Sequence, residues 1–490
     1  MKNLNLQAKI FWVVVALFST ALFGFIIAKA GALAALIIPV LIGCILLAYY
    51  IFKNPFFGFC LIMFFLPFER VPTYEIGGID IKINVILGFI TLFAWLLALM
   101  FNGQKWRVSP NALTLPITIF VISLLLSLTQ AFNLSRAVQV LIFTLFTIAL
   151  SFLANSMVQS KEDLKKIIGV LFLSSLIAGS FGLFQFAGDV VGLPQSMTLL
   201  KEGYTSAVFG FPRVQAFSME PLYFANYLII PLSLLIAYFL AKVKFSKNQE
   251  DKFWDKWIAN PWFIFALLVI LGVNFVLTVS RGGYLGLVVV VLIYLFVFFR
   301  KIFSIRNILI MAVAGVLVYW GVTYALSQGQ ARASREFFGH VTLNDLYEGE
   351  SIQGRLNTFE FAYSAFEKSP VLGIGIGNYG PYAKHYPVNT PEYGWDIVNN
   401  QFIETLAETG SIGFIAFILI FLVLLIRSFI AIKATDDLFL KTTLIGLTAA
   451  MVGILVQYNF FSTLYIIHIW IAVGLLAGTQ QLALKQKSLK

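Results

Sequence analysis

Long apolar runs separated by short polar breaks recur along the whole chain. About fourteen of them approach the roughly 20 residues that one helix needs to cross a bilayer. Their centres fall near residues 19, 41, 61, 91, 120, 146, 176, 231, 270, 292, 316, 421, 450 and 472. The third, Phe56 to Phe68, is short and reads either as a span or as a re-entrant segment, so twelve to fourteen transmembrane helices are expected. Two breaks are too long to be turns: an outer loop, Gly188 to Glu220, and the stretch from Ser327 to Gly410. Structureless loops of the second one's length are uncommon in compact domains. Aromatics and glycines recur through it, which predicts a small folded cap over 327–410 inserted in a single membrane domain spanning 1–490. Within the cap, Leu356, Phe359, Tyr363 and Phe366 recur at helical spacing after Gly354 and stop before Pro370. A second helix is expected from about Ile397 to Thr409, with Asp396 as N-cap and Gly410 at its end. On it Asn400, Glu404 and Glu408 fall four apart and form one polar stripe.

Composition agrees: 60% of the 490 residues are hydrophobic and 12% charged, where soluble domains carry roughly 25% charged residues. This is an integral membrane protein. A net charge of +11 would suggest nucleic acid in a soluble protein, but here it reads as the excess of Lys and Arg in cytoplasmic loops, and no nucleic-acid partner is expected. With a cytoplasmic N-terminus, 22 of the 34 Lys and Arg fall on inside segments. Of the remaining 12, five lie in the long cap, where charge counting loses force. Both termini are therefore expected in the cytoplasm of a cell whose inner membrane holds the protein, with the cap outside. The first run, Ile10 to Ala28, has 19 uncharged residues, more than the roughly 7–15 of a signal-peptide core, and reads as an uncleaved span. Cys44 and Cys60 lie inside apolar runs, and His340, His385 and His468 have no metal-ligand spacing. Neither a metal, nor another cofactor, nor hydrolytic catalysis is expected.

The chemistry must come from a few charged groups. Arg281 in VLTVSRGGYLGL follows 24 uncharged residues and precedes 18, about two membrane crossings, so it belongs at the tip of a tight outer hairpin. An arginine so placed either anchors on lipid phosphates or faces a cavity as a fixed cation, with Gly282 and Gly283 allowing close approach. Arg213 and Glu220 stand just before the eighth span, in FGFPRVQAFSMEPLYFANYL. Pro221 suits a first helical position, which puts Glu220 at a helix start, where the dipole favours negative charge. Arg355 opens the first cap helix, and VLGIGIGNYG reads as a tight turn, because a phosphate-binding loop would need a strand, a helix and a lysine around it.

Taken together, SRGGYLGL, the large loop before the last three spans, GRLNTFEFAYSAFEKSPVLGIGIGNYG and NNQFIETLAETGSIGF resemble the O-antigen ligase and polymerase superfamily. The resemblance covers roughly residues 205 to 430 in motif detail and the rest in topology. It implies an all-α polytopic membrane fold of GT-C-like architecture and glycan transfer without metal or nucleotide. The implied partners are an undecaprenyl-diphosphate-linked donor and acceptor, membrane lipid, a chain-length regulator and a flippase. By the same resemblance Arg213 and Arg281 hold the diphosphate, with Arg355 a further candidate. A preset guanidinium can stabilise charge on a leaving diphosphate as the glycosidic bond breaks. Ligases of this family carry a histidine where this chain reads Val398-Asn399-Asn400. That departure favours polymerisation of lipid-linked repeat units, with Glu220 as base and Asn399 or Asn400 orienting sugar hydroxyls. The alternatives are an O-antigen ligase or protein oligosaccharyltransferase using His385 or Glu404 as base. A transporter of a lipid-linked saccharide or small anion is the other class, which would call for inverted repeats and charges at mid-membrane.

Overall fold

The computed structural model describes residues 32–70, 73–76, 79–101, 111–241, 260–299, 350–384 and 395–488, with scattered residues of 309–324. The expected first span, His340, His385 and the cap before Glu350 lie outside the described residues, as do parts of the span centred near residue 316.

The described chain is an all-α polytopic membrane protein with one small antiparallel hairpin, β1 (Thr73–Ile76) and β2 (Ile79–Lys82). Seven helices are long and apolar enough to cross a membrane. They are α3 (Ile83–Phe101), α5 (Leu134–Met157), α6 (Lys161–Val190), α7 (Pro221–Ala241), α12 (Gln401–Ala434), α13 (Leu438–Gln457) and α14 (Ile467–Ser488). Three apolar helices are shorter: α4 (Thr114–Ser127), α8 (Pro261–Leu277) and α9 (Arg281–Val297). At 17 residues each, α8 and α9 run about 26 Å, close to the hydrocarbon thickness of roughly 30 Å.

The short third run is a helix of its own. α1 (Ala32–Lys53) and α2 (Pro55–Phe65) meet at 119°, so the pair forms one broken span or a re-entrant loop. The break has a local cause: Asn54 caps α2 by accepting from Phe57 N–H, and Pro55 starts it without needing a donor. The loop expected to begin at Gly188 begins later, because α6 continues to Val190.

Glycines bring the helices close. Gly474 and Gly478 of α14 lie against the Ser151 and Asn155 carbonyls of α5, and Gly286 of α9 and Gly453 of α13 meet backbone to backbone. Small residues at such contacts let dispersion hold helices together where lipid supplies no hydrophobic drive. Hydroxyl pairs add to this inside the bundle, with Ser233 to Tyr294 at 2.7 Å and Tyr238 to Thr443 at 2.7 Å. Large apolar side chains such as Phe89, Ile122 and Leu292 stay exposed on the outside of α3, α4 and α9, as a lipid-facing surface requires.

The segments after α2, α4, α6, α8 and α13 collect at one end of the bundle. Hydrogen bonds tie them together: Glu69 N to Phe217 O (3.1 Å), Val214 N to Leu277 O (2.9 Å) and Gln401 N to Tyr458 O (2.7 Å). The described part of the expected cap sits at this end too. It contains α10 (Glu350–Lys368), α11 (Tyr379–Ala383) and the first turns of α12, around a small core of Ala362, Ala365, Ile374, Tyr379, Val398 and Ala407. Asn378 fastens it to the bundle by accepting from Asn133 N at 2.7 Å.

The cap helices differ from expectation in their starts. α10 begins at Glu350, so Arg355 lies inside it rather than opening it. The second helix begins at Gln401, with Asn400 as N-cap accepting from Phe402 and Ile403 N–H. Asp396 instead faces Lys384 at 3.6 Å. Val398 cannot join the helix because its N–H donates to Glu404 and its carbonyl accepts from Thr358. Gly410 ends the cap portion of α12 as expected, with φ 64° and ψ −170°, and α12 then continues as the spanning helix.

Candidate functional site

The α8–α9 turn puts Arg281 where the charge pattern expected it, at a hairpin tip. Val279 turns the chain with φ 47°. Ser280 then caps α9 by accepting from Gly283 N–H, leaving Arg281 as the first residue of the helix. Gly282 is required by packing, since a Cβ there would stand 2.7 Å from Phe460 Cβ.

Arg213 reaches the same turn from the loop before α7. Its Nη2 donates to Val279 O at 3.1 Å and its Nε to Thr278 O at 3.4 Å, with the guanidinium 5.5 Å from the Tyr204 ring centre. It thus satisfies carbonyls left unpaired where α8 ends. Arg355, on α10, stands 5.9 Å over the Phe460 ring. Burial lowers the pKa of both Arg213 and Arg355, and the charge of Arg281 lowers both further. The three arginines therefore share one neighbourhood. Crowded, partly desolvated cations with one turn between them are poised for an anion rather than for one another.

Glu220 stands where expected, with its carbonyl accepting from Phe224 N–H and Pro221 starting α7. It lies within reach of the charges of Arg213 and Lys201. It also lines a cavity of about 990 Å³. None of the three arginines lines this cavity, so the site has two parts: an arginine cluster, and a chamber that shares Glu220 with it. Asn399 and Asn400 do not line the chamber either. Asn399 makes a left-handed turn at φ 58° and donates its N–H to Ser462, while the Asn400 side chain is committed to capping α12.

The chamber gathers charged groups from segments far apart in the sequence. Glu69, Lys82, Arg136 and Lys201 line it together with Glu404 and Glu408. Aromatic walls come from Tyr223, Tyr379, Trp395 and Tyr465, the apolar faces and polar edges that sugars pack against. Glu408 accepts from Gly377 N–H (2.8 Å) and Tyr379 N–H (3.0 Å), so the glycine-rich turn is wrapped around a carboxylate. Gly373, Gly375 and Gly377 all have positive φ, which makes this path possible. Glu404 accepts from Val398 N–H (2.9 Å) and the Ser462 hydroxyl (2.6 Å). Burial raises the pKa of the Glu69 carboxyl, against the opposing pull of Lys82 and the Met219 N–H. Burial also lowers the pKa of Lys201, which Glu220 opposes and Arg70 and Lys82 reinforce. Among the described residues, no three or more His, Cys, Asp or Glu side chains are grouped as a metal cage requires.

A family profile described as O-antigen ligase matches residues 266–418, which run from α8 through Arg281 and Arg355 to Glu404, Glu408 and the break at Gly410. This match over 153 of the 490 residues supports a likeness to the O-antigen ligase and polymerase superfamily. Members of this superfamily are glycosyltransferase-like enzymes, ligases or polymerases. An "Uncharacterized protein" of Haemophilus influenzae is 26% identical over 178 residues, which is 35% of this chain and 44% of that protein. The chain thus spans less than half the length of that relative. Arg281, Arg355, Glu404 and Glu408 lie inside the matched region, while Glu69, Arg136, Arg213 and Glu220 come from helices and loops before it.

Proposed function

We propose that this protein polymerises undecaprenyl-diphosphate-linked oligosaccharide repeat units into an envelope polysaccharide on the outer face of the cytoplasmic membrane. Both termini would then lie in the cytoplasm. The observation that carries the reading is the convergence of Arg213, Arg281 and Arg355 beside a chamber of about 990 Å³ lined with carboxylates and aromatics. A glycosyl transfer from a lipid diphosphate needs these two things side by side. The acceptor hydroxyl attacks the donor's anomeric carbon, and the bond to the diphosphate breaks with its electron pair staying on the leaving group. The arginine cluster meets that growing charge without a metal. The chamber holds the acceptor sugars, with Glu220 at the boundary between the two parts.

Polymerisation rather than ligation is supported by the start of α12. Asn399 and Asn400 stand where the ligase pattern has a histidine, and both are engaged in shaping the helix start. Deleting the gene and complementing with wild type or Arg281→Ala tests the reading. Long polysaccharide on its lipid carrier is expected with wild type, and single repeat units with the variant. Product on a lipid A core or a protein would instead indicate ligation. Transfer of labelled substrate across liposomes with no new glycosidic bond would replace both with transport.

A further inference from the structure

Resting on the glycosyl-transfer reading, a further question is which group takes the proton of the attacking hydroxyl. Four glutamates line the chamber: Glu69, Glu220, Glu404 and Glu408. Both oxygens of Glu408 hold backbone N–H groups, and Oε2 of Glu404 already accepts two hydrogen bonds. Glu220 faces the charges of Arg213 and Lys201, which ties it to orienting cations.

Glu69 is built differently. The chain after α2 is fixed by Glu69 N and Arg70 N, which both donate to Phe217 O, at 3.1 and 2.9 Å. Among the described residues Oε2 receives one long bond, from Met219 N at 3.4 Å. Oε1 faces His468 Nδ1 at 3.7 Å, with the imidazole 1% and the carboxylate 13% exposed. On the other side of the ring, Nε2 lies 2.7 Å from Asn226 Oδ1, and the Asn226 amide nitrogen donates to Gln457 Oε1. An amide oxygen accepts only, so Nε2 carries the ring proton and Nδ1 presents a lone pair. A lone pair and a carboxylate oxygen thus face each other at one edge of the chamber, an arrangement suited to take up one proton. The charged and titratable groups around this edge are Lys82 from β2, Glu220 and Tyr223 at the start of α7, Arg70, and Lys201.

We propose that Glu69 is the general base of the transfer, with His468 as its positioning residue and proton-sharing partner. As the acceptor O–H bond breaks, its proton passes to Glu69 while the oxygen forms the new bond to the anomeric carbon. The old C–O bond leaves its electrons on the lipid diphosphate, and the Glu69–His468 pair holds the proton until water in the chamber removes it. The raised pKa of the Glu69 carboxyl fits this role.

The test uses full-length protein in nanodiscs with lipid-linked repeat units extracted from a strain lacking the gene. Glu69→Gln is expected to lower the rate of chain extension by about 10²–10⁴-fold, with the amount of lipid-linked substrate bound unchanged. His468→Gln keeps a polar group in place and serves if Glu69→Gln folds poorly. It should slow extension and move the acid limb of the pH–rate profile to lower pH, because an amide N–H can donate to Glu69 where the imidazole lone pair cannot. Extension by Glu69→Gln close to the wild-type rate overturns the proposal, as does loss of substrate binding in proportion to rate. A His468→Gln pH profile identical to wild type likewise overturns the pairing. Wild-type protein that fails to extend the units overturns glycosyl transfer itself, which separates the two failures.

Discussion

Arg213 and Arg281 are assigned to the same anion, yet the structure separates their costs. Arg213 donates to Val279 O at 3.1 Å and to Thr278 O at 3.4 Å. A hydrogen bond from a charged donor contributes about 1.5–3 kcal/mol, and the longer bond counts for less. Arg213→Ala should therefore destabilise the fold by about 2–4 kcal/mol, leaving two carbonyls at the end of α8 without their donor. Arg281 makes no hydrogen bond or salt bridge to a described residue and lies beside two other guanidinium groups. Among the described residues its removal takes away repulsion between cations and no bond, so Arg281→Ala should leave stability unchanged or slightly raised. Activity should fall in both variants by about 10²–10³-fold, the usual loss when one preset donor to a developing anion is removed. The assay pairs heating in detergent, followed by the fraction remaining monodisperse, with extension of lipid-linked repeat units. The reasoning is refuted if Arg281→Ala melts as early as Arg213→Ala, or if Arg281→Ala extends chains within about tenfold of wild type.

Three more outcomes follow from other contacts. Glu408→Ala leaves the Gly377 and Tyr379 N–H groups buried without an acceptor and should cost about 1–3 kcal/mol for each, whereas Glu408→Gln, which keeps one acceptor, should cost about half as much in the same melting assay. Gly282→Val forces a side chain against Phe460, 2.7 Å from its Cβ, and should cost about 1–3 kcal/mol by overpacking; Gly282→Ala should be milder, and equal melting of the two would contradict the contact. Asp437 bonds Lys161 at 2.6 Å and caps α13: burial pushes its carboxyl up, but Lys161 and the Leu440 N–H outweigh this and hold it below the ordinary value. A depressed carboxyl stabilises the fold above the unfolded pKa and loses that contribution as pH falls through the folded one. Asp437→Asn, which keeps a capping oxygen, should thus lower stability by up to about 1 kcal/mol at neutral pH, and the gap to wild type should close below about pH 4.

What was legible in the sequence is what local chemistry decides. Arg281 stood out because nothing charged lay near it on either side, and a bilayer turns that silence into an address at a hairpin tip. Glu220 and Pro221 announced a helix start through the missing N–H of proline, and Gly410 announced a helix end through its positive φ. The start of α12 misled because Asp396 and Asn400 are both good caps. The choice was made by Val398, whose N–H is taken by Glu404 and whose carbonyl is taken by Thr358 from another helix. Such partners cannot be read from spacing.

The chamber was the least legible part for the same reason carried further. Its charged lining comes from the turn after α2, from β2, from the start of α5, from the loop before α7 and from the cap turns of α12, with His468 behind Glu69. On its own strand, helix or loop each of these residues looks like an ordinary end-of-helix charge. His468 in particular reads as a lone histidine among Ile467, Ile469 and Trp470. One signal was available: parity of the spans puts Glu69, Arg136, Lys201, Glu220 and Glu404 at the same end of the bundle as Arg281. Carboxylates and cations that share one face of a membrane protein, in segments too short to solvate them separately, are candidates for a common chamber before any contact between them is known.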